Sequence, residues 1–141
     1  MNFWQRWFGK KEADLPVNLR HGRIGEEAAR NYLKDHGLKF LVANYRSGKG
    51  EIDLVFQDKE CVVFVEVKAS SAGQMLRPAS RVNLHKRKLL TKTALAYLKE
   101  IKNPRVKVRF DIVEVILKEG KAVEIRHLPN SFVMPGTSRY R

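Results

Sequence analysis

Apolar positions along the chain switch between helical and strand spacing, and the switches predict seven elements. Over residues 22–37, GRIGEEAARNYLKDHG, residues Ile24, Ala28, Ala29, Tyr32 and Leu33 recur at helical spacing. Gly37 stands where a helix end takes a left-handed residue. Residues 38–46 read as a strand and SGKG (47–50) as a turn. Residues 51–57 and 61–69 are the second and third strands, close enough across QDKE (57–60) for an antiparallel hairpin. A polar loop, 70–81, leads into a second helix over 82–102, with Leu90, Ala94, Tyr97, Leu98 and Ile101 on one stripe and Asn103-Pro104 to stop it. Residues 106–117 alternate as a strand, Lys118-Glu119-Gly120 turns the chain, and 121–128 is the last strand. The order α-β-β-β-α-β-β predicts an α/β domain, one mixed central sheet with helices on its faces. Residues 1–20 read as an aromatic and basic appendage, 21–128 as the domain, and 129–141 as a basic, loop-like tail.

Charges break the apolar pattern in one place. In GEIDLV and VFVEVK, residues Asp53, Glu66 and Lys68 stand among apolar neighbours, and charges are rarely buried unpaired. Alternation puts Ile52, Leu54 and Phe56 on one face of the second strand and Glu51, Asp53 and Val55 on the other. On the third strand it puts Val62, Phe64, Glu66 and Lys68 together. A hairpin pairs an early residue of one strand with a late residue of the next, so Asp53 falls beside Glu66 or Lys68. Two adjacent carboxylates repel, and a positive partner relieves them. A salt-bridged strand pair, Asp53–Lys68 or Glu66–Lys68, is one reading. A divalent cation is the other, and hard oxygen ligands suit Mg²⁺ or Mn²⁺.

Composition adds a partner. Lys and Arg total 28 against 15 Asp and Glu, a net charge of +13 with a pI near 10.1. That excess favours a polyanion, with nucleic acid ahead of an anionic membrane. Arg46, Lys49, Arg77, Arg81, Lys86 and Arg87 are the candidate phosphate contacts. Lys86 lies one turn before Leu90 within the apolar arc, so it either snorkels to solvent or meets phosphate at the rim. Cys61 is the only cysteine, which excludes an internal disulfide and fits a reducing cytoplasm. No apolar run approaches a membrane span, and the aromatic start, with Phe3, Trp4, Trp7 and Phe8, lacks the apolar core of a signal peptide.

Asp53, twelve residues, then Glu66-Val67-Lys68 resembles the PD-(D/E)xK nuclease signature. With Gly25-Glu26-Glu27 upstream, the GEIDLV and VFVEVK runs, Lys86 and Arg109-Phe110-Asp111, residues 20–117 resemble the YraN-like family, which is similar to archaeal Holliday junction resolvases. The resemblance implies a restriction-endonuclease-like fold and a metal-dependent phosphodiesterase. Asp53, Glu66 and the Val67 carbonyl would hold the cation. Lys68 would orient the attacking water or stabilise charge on the phosphate, and Glu26 would complete the carboxylate set. Helical geometry supports Glu26, which falls at the border of the apolar stripe beside Leu33, whereas Glu27 faces solvent. Asp111 is expected to pair with Arg109 rather than to act in catalysis. The chain departs from the family pattern where Ala69 and Ser70 follow VEVK in place of a nearby Arg, and at Met75, where an aromatic is usual. A homodimer is the expected assembly if branched junctions are cut, since that requires two sites. The rival reading is a non-catalytic nucleic-acid binder that keeps a nuclease fold.

Overall fold

The computed structural model describes residues 17–71, 82–103 and 105–133. Seven elements follow in the expected order: α1 (Val17–Asp35), β1 (Lys39–Ser47), β2 (Gly50–Asp58), β3 (Cys61–Ser71), α2 (Leu84–Glu100), β4 (Lys107–Lys118) and β5 (Lys121–Phe132). They build one five-stranded sheet in sequence order, β1 to β5. Neighbours are antiparallel except β3 and β4, which run parallel because α2 carries the chain back between them. This is the mixed α/β arrangement that the element order implies, and it is the restriction-endonuclease-like fold that the resemblance implies.

Each helix covers one face. Ala29 and Leu33 of α1 pack on Leu54, Phe56, Val63, Val65, Val113, Val115 and Leu117. On the other face Leu90, Ala94, Tyr97 and Leu98 of α2 pack on Ile52, Val55, Val62, Phe64, Phe110 and Ile112. α1 closes as anticipated: Gly37 has φ +90, its N–H bonds Lys34 O at 3.0 Å, and Leu38 N bonds Leu33 O at 3.1 Å. Three tight turns join β1 to β2, β2 to β3 and β4 to β5, each with a residue at positive φ: Gly48, Lys59, and Glu119 with Gly120. No helix among the described residues is long and apolar enough to cross a membrane.

Several expected boundaries move. α1 starts at Val17 rather than residue 22. α2 starts one residue after Asn83, whose side chain accepts from Lys86 N at 2.8 Å and so caps the helix. Ile101, placed on the buried stripe by spacing, is the C-cap and is exposed. The last strand runs on from 128 to Phe132, because Phe132 stacks on Phe110 at 4.6 Å between centroids and draws that end of the chain into the core.

Gly50 sets the distance between the β1–β2 hairpin and α2. A Cβ there would collide with Thr93 Oγ1 and approach Leu89 Cγ to 3.4 Å. Thr93 cannot turn away freely, since its hydroxyl donates to Leu89 O at 2.8 Å. Gly50→Ala is therefore expected to cost about 1–3 kcal/mol through overpacking. A thermal melt unchanged from wild type would show that the hairpin yields without cost.

Candidate active site

The β2–β3 ladder stops at Leu54↔Val65, and beyond it the two strands part. Asp53 fills the opening: its Oδ2 accepts from Val67 N at 2.8 Å, a side chain standing where a strand would have supplied a carbonyl. In an antiparallel arrangement one residue's N–H and C=O point to the same neighbour, so the Val67 carbonyl also faces the opening. Extending the register by one step sets Asp53 against Glu66, the expected partner.

The simple face assignment of β2 does not hold. Ile52 packs under α2, whereas Leu54 and Phe56 pack under α1, so alternation breaks at Asp53. The break falls where β2 loses its β3 partner and remains paired with β1 alone. Asn44, between the pairs Ala43↔Leu54 and Tyr45↔Ile52, stands across from it with φ +52. Asn tolerates this left-handed backbone better than most residues.

The opening lets side chains from both faces meet. From the α1 face comes Glu26, half-buried as its place on the helix border implies, while Glu27 is exposed. Glu26 Oε2 accepts from Asn44 Nδ2 at 3.1 Å. Gly25 allows this approach, since a Cβ there would lie 2.7 Å from Ala69 Cβ on β3. From the α2 face comes Lys86, whose ammonium donates to Glu66 Oε1 at 3.0 Å. The Asn83 cap fixes the turn from which Lys86 reaches, so Lys86 belongs to the rim. Lys68, half-buried on β3, makes no hydrogen bond or ion pair with the described residues, and neither expected strand salt bridge forms.

The electrostatics are those of excess negative charge. Burial, then Glu66, pushes the Asp53 carboxyl well above the usual range; the Val67 N–H opposes this, and Glu26 and Glu51 add to the rise. Glu51 lies on β2 two residues before Asp53. Its Oε2 is buried without a hydrogen-bond partner, and its carboxyl is raised by burial and by Glu66 while Arg46 lowers it. Asn44 and the buried Glu51 oxygen were not legible as parts of the site; an Asn within an apolar strand was the signal for the first.

No three His, Cys, Asp or Glu side chains among the described residues cluster as a ready cage for a metal ion. A hexahydrated type of cation does not require one: Mg²⁺ binds through one or two carboxylates and keeps waters or takes phosphate oxygens. Asp53, Glu66 and the Val67 carbonyl are hard oxygen donors, and the buried Glu51 Oε2 has no hydrogen-bond partner. The residues present thus fit Mg²⁺ or Mn²⁺.

Of the other candidates, Arg46 is exposed on β1 and Lys49 in the adjoining turn, both beside the opening. Arg87 is engaged elsewhere: its Nε donates to Val82 O at 2.7 Å and its guanidinium lies 5.6 Å from the Phe132 ring centre. Arg77, Arg81 and Met75, with the aromatic N-terminal residues Phe3, Trp4, Trp7 and Phe8, lie outside the described residues. Asp111 pairs with Arg109 as expected, Nε to Oδ1 at 2.9 Å, and it also meets His127 Nε2 at 2.7 Å and Asn130 N at 2.9 Å.

A mixed sheet that parts between two strands, with an Asp from one and Glu-x-Lys from the other at the gap, defines the PD-(D/E)xK class of α/β domain. The family model described as "Uncharacterised protein family UPF0102" matches residues 25–115. The UPF0102 protein of Trichlorobacter lovleyi is 36% identical over 116 residues, covering 82% of this chain and 91% of its own. That of Alkaliphilus oremlandii is 38% identical over 118 residues, covering 82% and 100%. That of Solibacter usitatus is 42% identical over 106 residues, covering 74% and 80%. The chain belongs to the UPF0102 family, the YraN-like group. The structure of Pyrococcus furiosus SfsA in complex with Ca²⁺ is similar at a TM-score of 0.36 and 12% identity, over 80% of this chain and 63% of SfsA.

Proposed function

We propose that this protein is a metal-dependent nuclease that hydrolyses phosphodiester bonds in nucleic acid, DNA ahead of RNA, with branched or structured substrates favoured. One observation carries the reading: Asp53 and Glu66 meet at the gap between β2 and β3, beside the Val67 backbone and an unengaged Lys68. The strand ion pair that would have consumed Lys68 does not form among the described residues; Lys86 takes one oxygen of Glu66, and Asp53 Oδ2 accepts from the Val67 N–H.

Asp53, Glu66 and the Val67 carbonyl would hold Mg²⁺ or Mn²⁺, which when bound polarises a phosphoryl oxygen and acidifies a water. Lys68 donates to the phosphate or its attacking water and offsets negative charge as it develops. Asn44 holds Glu26 over the gap, and Lys86 restrains one oxygen of Glu66, leaving the other for the cation. Arg46 and Lys49 line the approach, and their contribution to affinity falls with salt. Among the described residues no base-reading element lies at the gap, so selection by backbone shape fits better than selection by sequence.

The test combines calorimetric titration of Mn²⁺ and Mg²⁺ with incubation on branched, duplex and single-stranded DNA and on RNA. Wild type is expected to bind cation and cleave. Asp53→Ala/Glu66→Ala is expected to do neither while retaining salt-sensitive nucleic-acid binding. Tight binding without cleavage under every condition would overturn the nuclease reading in favour of a non-catalytic binder.

A further inference from the structure

A second concavity lies near the gap, at the same end of the sheet. It has a volume of about 240 Å³ and is lined by His21, Ser71, Leu117, Lys118, Glu119 and Gly120. Three elements converge to form it. Ser71 is the last residue of β3 and pairs in register with Leu117 near the end of the parallel β4. Lys118 and Lys121 close the β4–β5 turn, whose Glu119 and Gly120 have φ of +53 and +75. His21 lies one helical turn before Gly25, the residue that seats α1 against Ala69.

We propose that this concavity binds a backbone phosphate of the nucleic-acid strand lying at the gap, so that it flanks the linkage held at Lys68. The inference rests on the nuclease reading and adds the path of the strand. The Lys118 ammonium, the His21 ring and the backbone amides of the turn are all groups that bind phosphate. Glu119 lines the same space and opposes a dianion. One carboxylate against Lys118 and the neutral donors is compatible with the single charge of a phosphodiester, and disfavours the double charge of a free phosphate. The volume is below the roughly 300–1,000 Å³ of pockets that enclose whole small molecules, so it suits a phosphate with part of its sugar rather than a base.

Spacing supports the path. Lys68 and Ser71 are three residues apart on one strand, about 10 Å. Phosphates advance about 3.4 Å along the axis per nucleotide of a duplex strand. The subsite therefore engages a linkage within a few nucleotides of the one at Lys68. Arg46 and Lys49 stand on the opposite side of the gap, so the strand is held on both sides of the reacting position.

The test is a fluorescence-anisotropy titration of wild type and His21→Ala/Lys118→Ala with oligonucleotides carrying one neutral methylphosphonate at each linkage in turn. Lys118 is exposed and His21 half-buried, and a melting curve for each variant confirms folding. The double variant is expected to weaken binding and to reduce the slope of log affinity against log salt by about 1, one phosphate contact. One neutral linkage, within a few nucleotides of the cleaved one, is expected to weaken wild type but not the variant. The same coupling is expected in Asp53→Ala/Glu66→Ala, so a wild type that shows the coupling but cleaves under no condition would sink the nuclease reading and leave the subsite standing. Absence of any coupled linkage, with cleavage intact, would overturn the subsite. A parallel titration of inorganic phosphate, followed by the His21 ring resonances, is expected to show no saturation at millimolar concentration. Saturation there without a coupled linkage would mark a free-phosphate site and also overturn the proposal.

Discussion

Asp53→Asn is expected to melt higher than wild type in EDTA at pH 8, and to have lost both cation-induced stabilisation and turnover. The amide is nearly isosteric and its oxygen still accepts from Val67 N, so the gap keeps its shape. What disappears is a carboxylate that burial and Glu66, with Glu26 and Glu51, make costly to ionise. Its folded-state pKa lies above the unfolded value, so its stabilising effect is fully present below the ordinary Asp pKa, near 3.9. That effect is lost as pH rises from there through the elevated folded value. Each unit of elevation corresponds to about 1.4 kcal/mol. A dication offsets the same repulsion and adds binding free energy, about 2.7 kcal/mol at a hundredfold excess over its dissociation constant. Scanning calorimetry of both proteins at pH 5 and pH 8, with and without Mn²⁺, separates these effects. A wild type indifferent to Mn²⁺, together with a variant no more stable than wild type at pH 8, would show that the gap holds no reservoir of negative charge.

Asp111→Ala is expected to cause the largest loss of stability, about 3–5 kcal/mol, because it removes one member of a buried charged network. That is a third or more of the total for many domains. Asp111 is fully buried and meets Arg109, His127 and Asn130 N at once. The network spans three strands, since Arg109 Nη1 also reaches Asp58 Oδ2 on β2 at 2.9 Å. It pins β5 at the irregular step where Asn130 takes φ +52, which lets the chain continue to Phe132. Burial pushes the Asp111 carboxyl up, but the bonds from His127, Arg109 and Asn130 outweigh it and hold the group below its usual value. The sign is opposite to that of Asp53. Its stabilisation is present above the ordinary Asp pKa and is lost as pH falls through the depressed folded value. Urea unfolding of Asp111→Ala checks the magnitude, and Asp111→Asn, which keeps the shape, is expected to lose less and to bind Mn²⁺ as wild type does. A change below about 1 kcal/mol in the Ala variant would mean that Asp58 and solvent satisfy Arg109 unaided.

The two networks differ in how far local sequence reveals them. Asp111 stands two residues from Arg109 on one strand, so alternation alone puts them on one face, and their pairing could be anticipated. His127 and Asn130 could not, because their approach depends on a strand that bends after Pro129. At the gap, Asp53 and Glu66 could be set together from the hairpin count. The break in alternation at Asp53 could not, because it follows from β2 losing β3 as a neighbour. Glu26 could be chosen over Glu27 from a helical wheel, but its partner Asn44 lies on β1, a strand that holds no carboxylate.

Spacing along the chain determined the seven elements, their order, the antiparallel hairpin and the acidic pair, because periodicity and turn chemistry act over a few residues. Only the tertiary structure decided that Lys86 meets Glu66, that Lys68 stays unengaged, that Arg87 is committed to Val82 and Phe132, and that a concavity opens between His21 and Lys118. Those outcomes depend on where two helices settle against opposite faces of one sheet. That placement is set by close approach at Gly25 and Gly50 and by the packing of the whole core, and no local pattern encodes it.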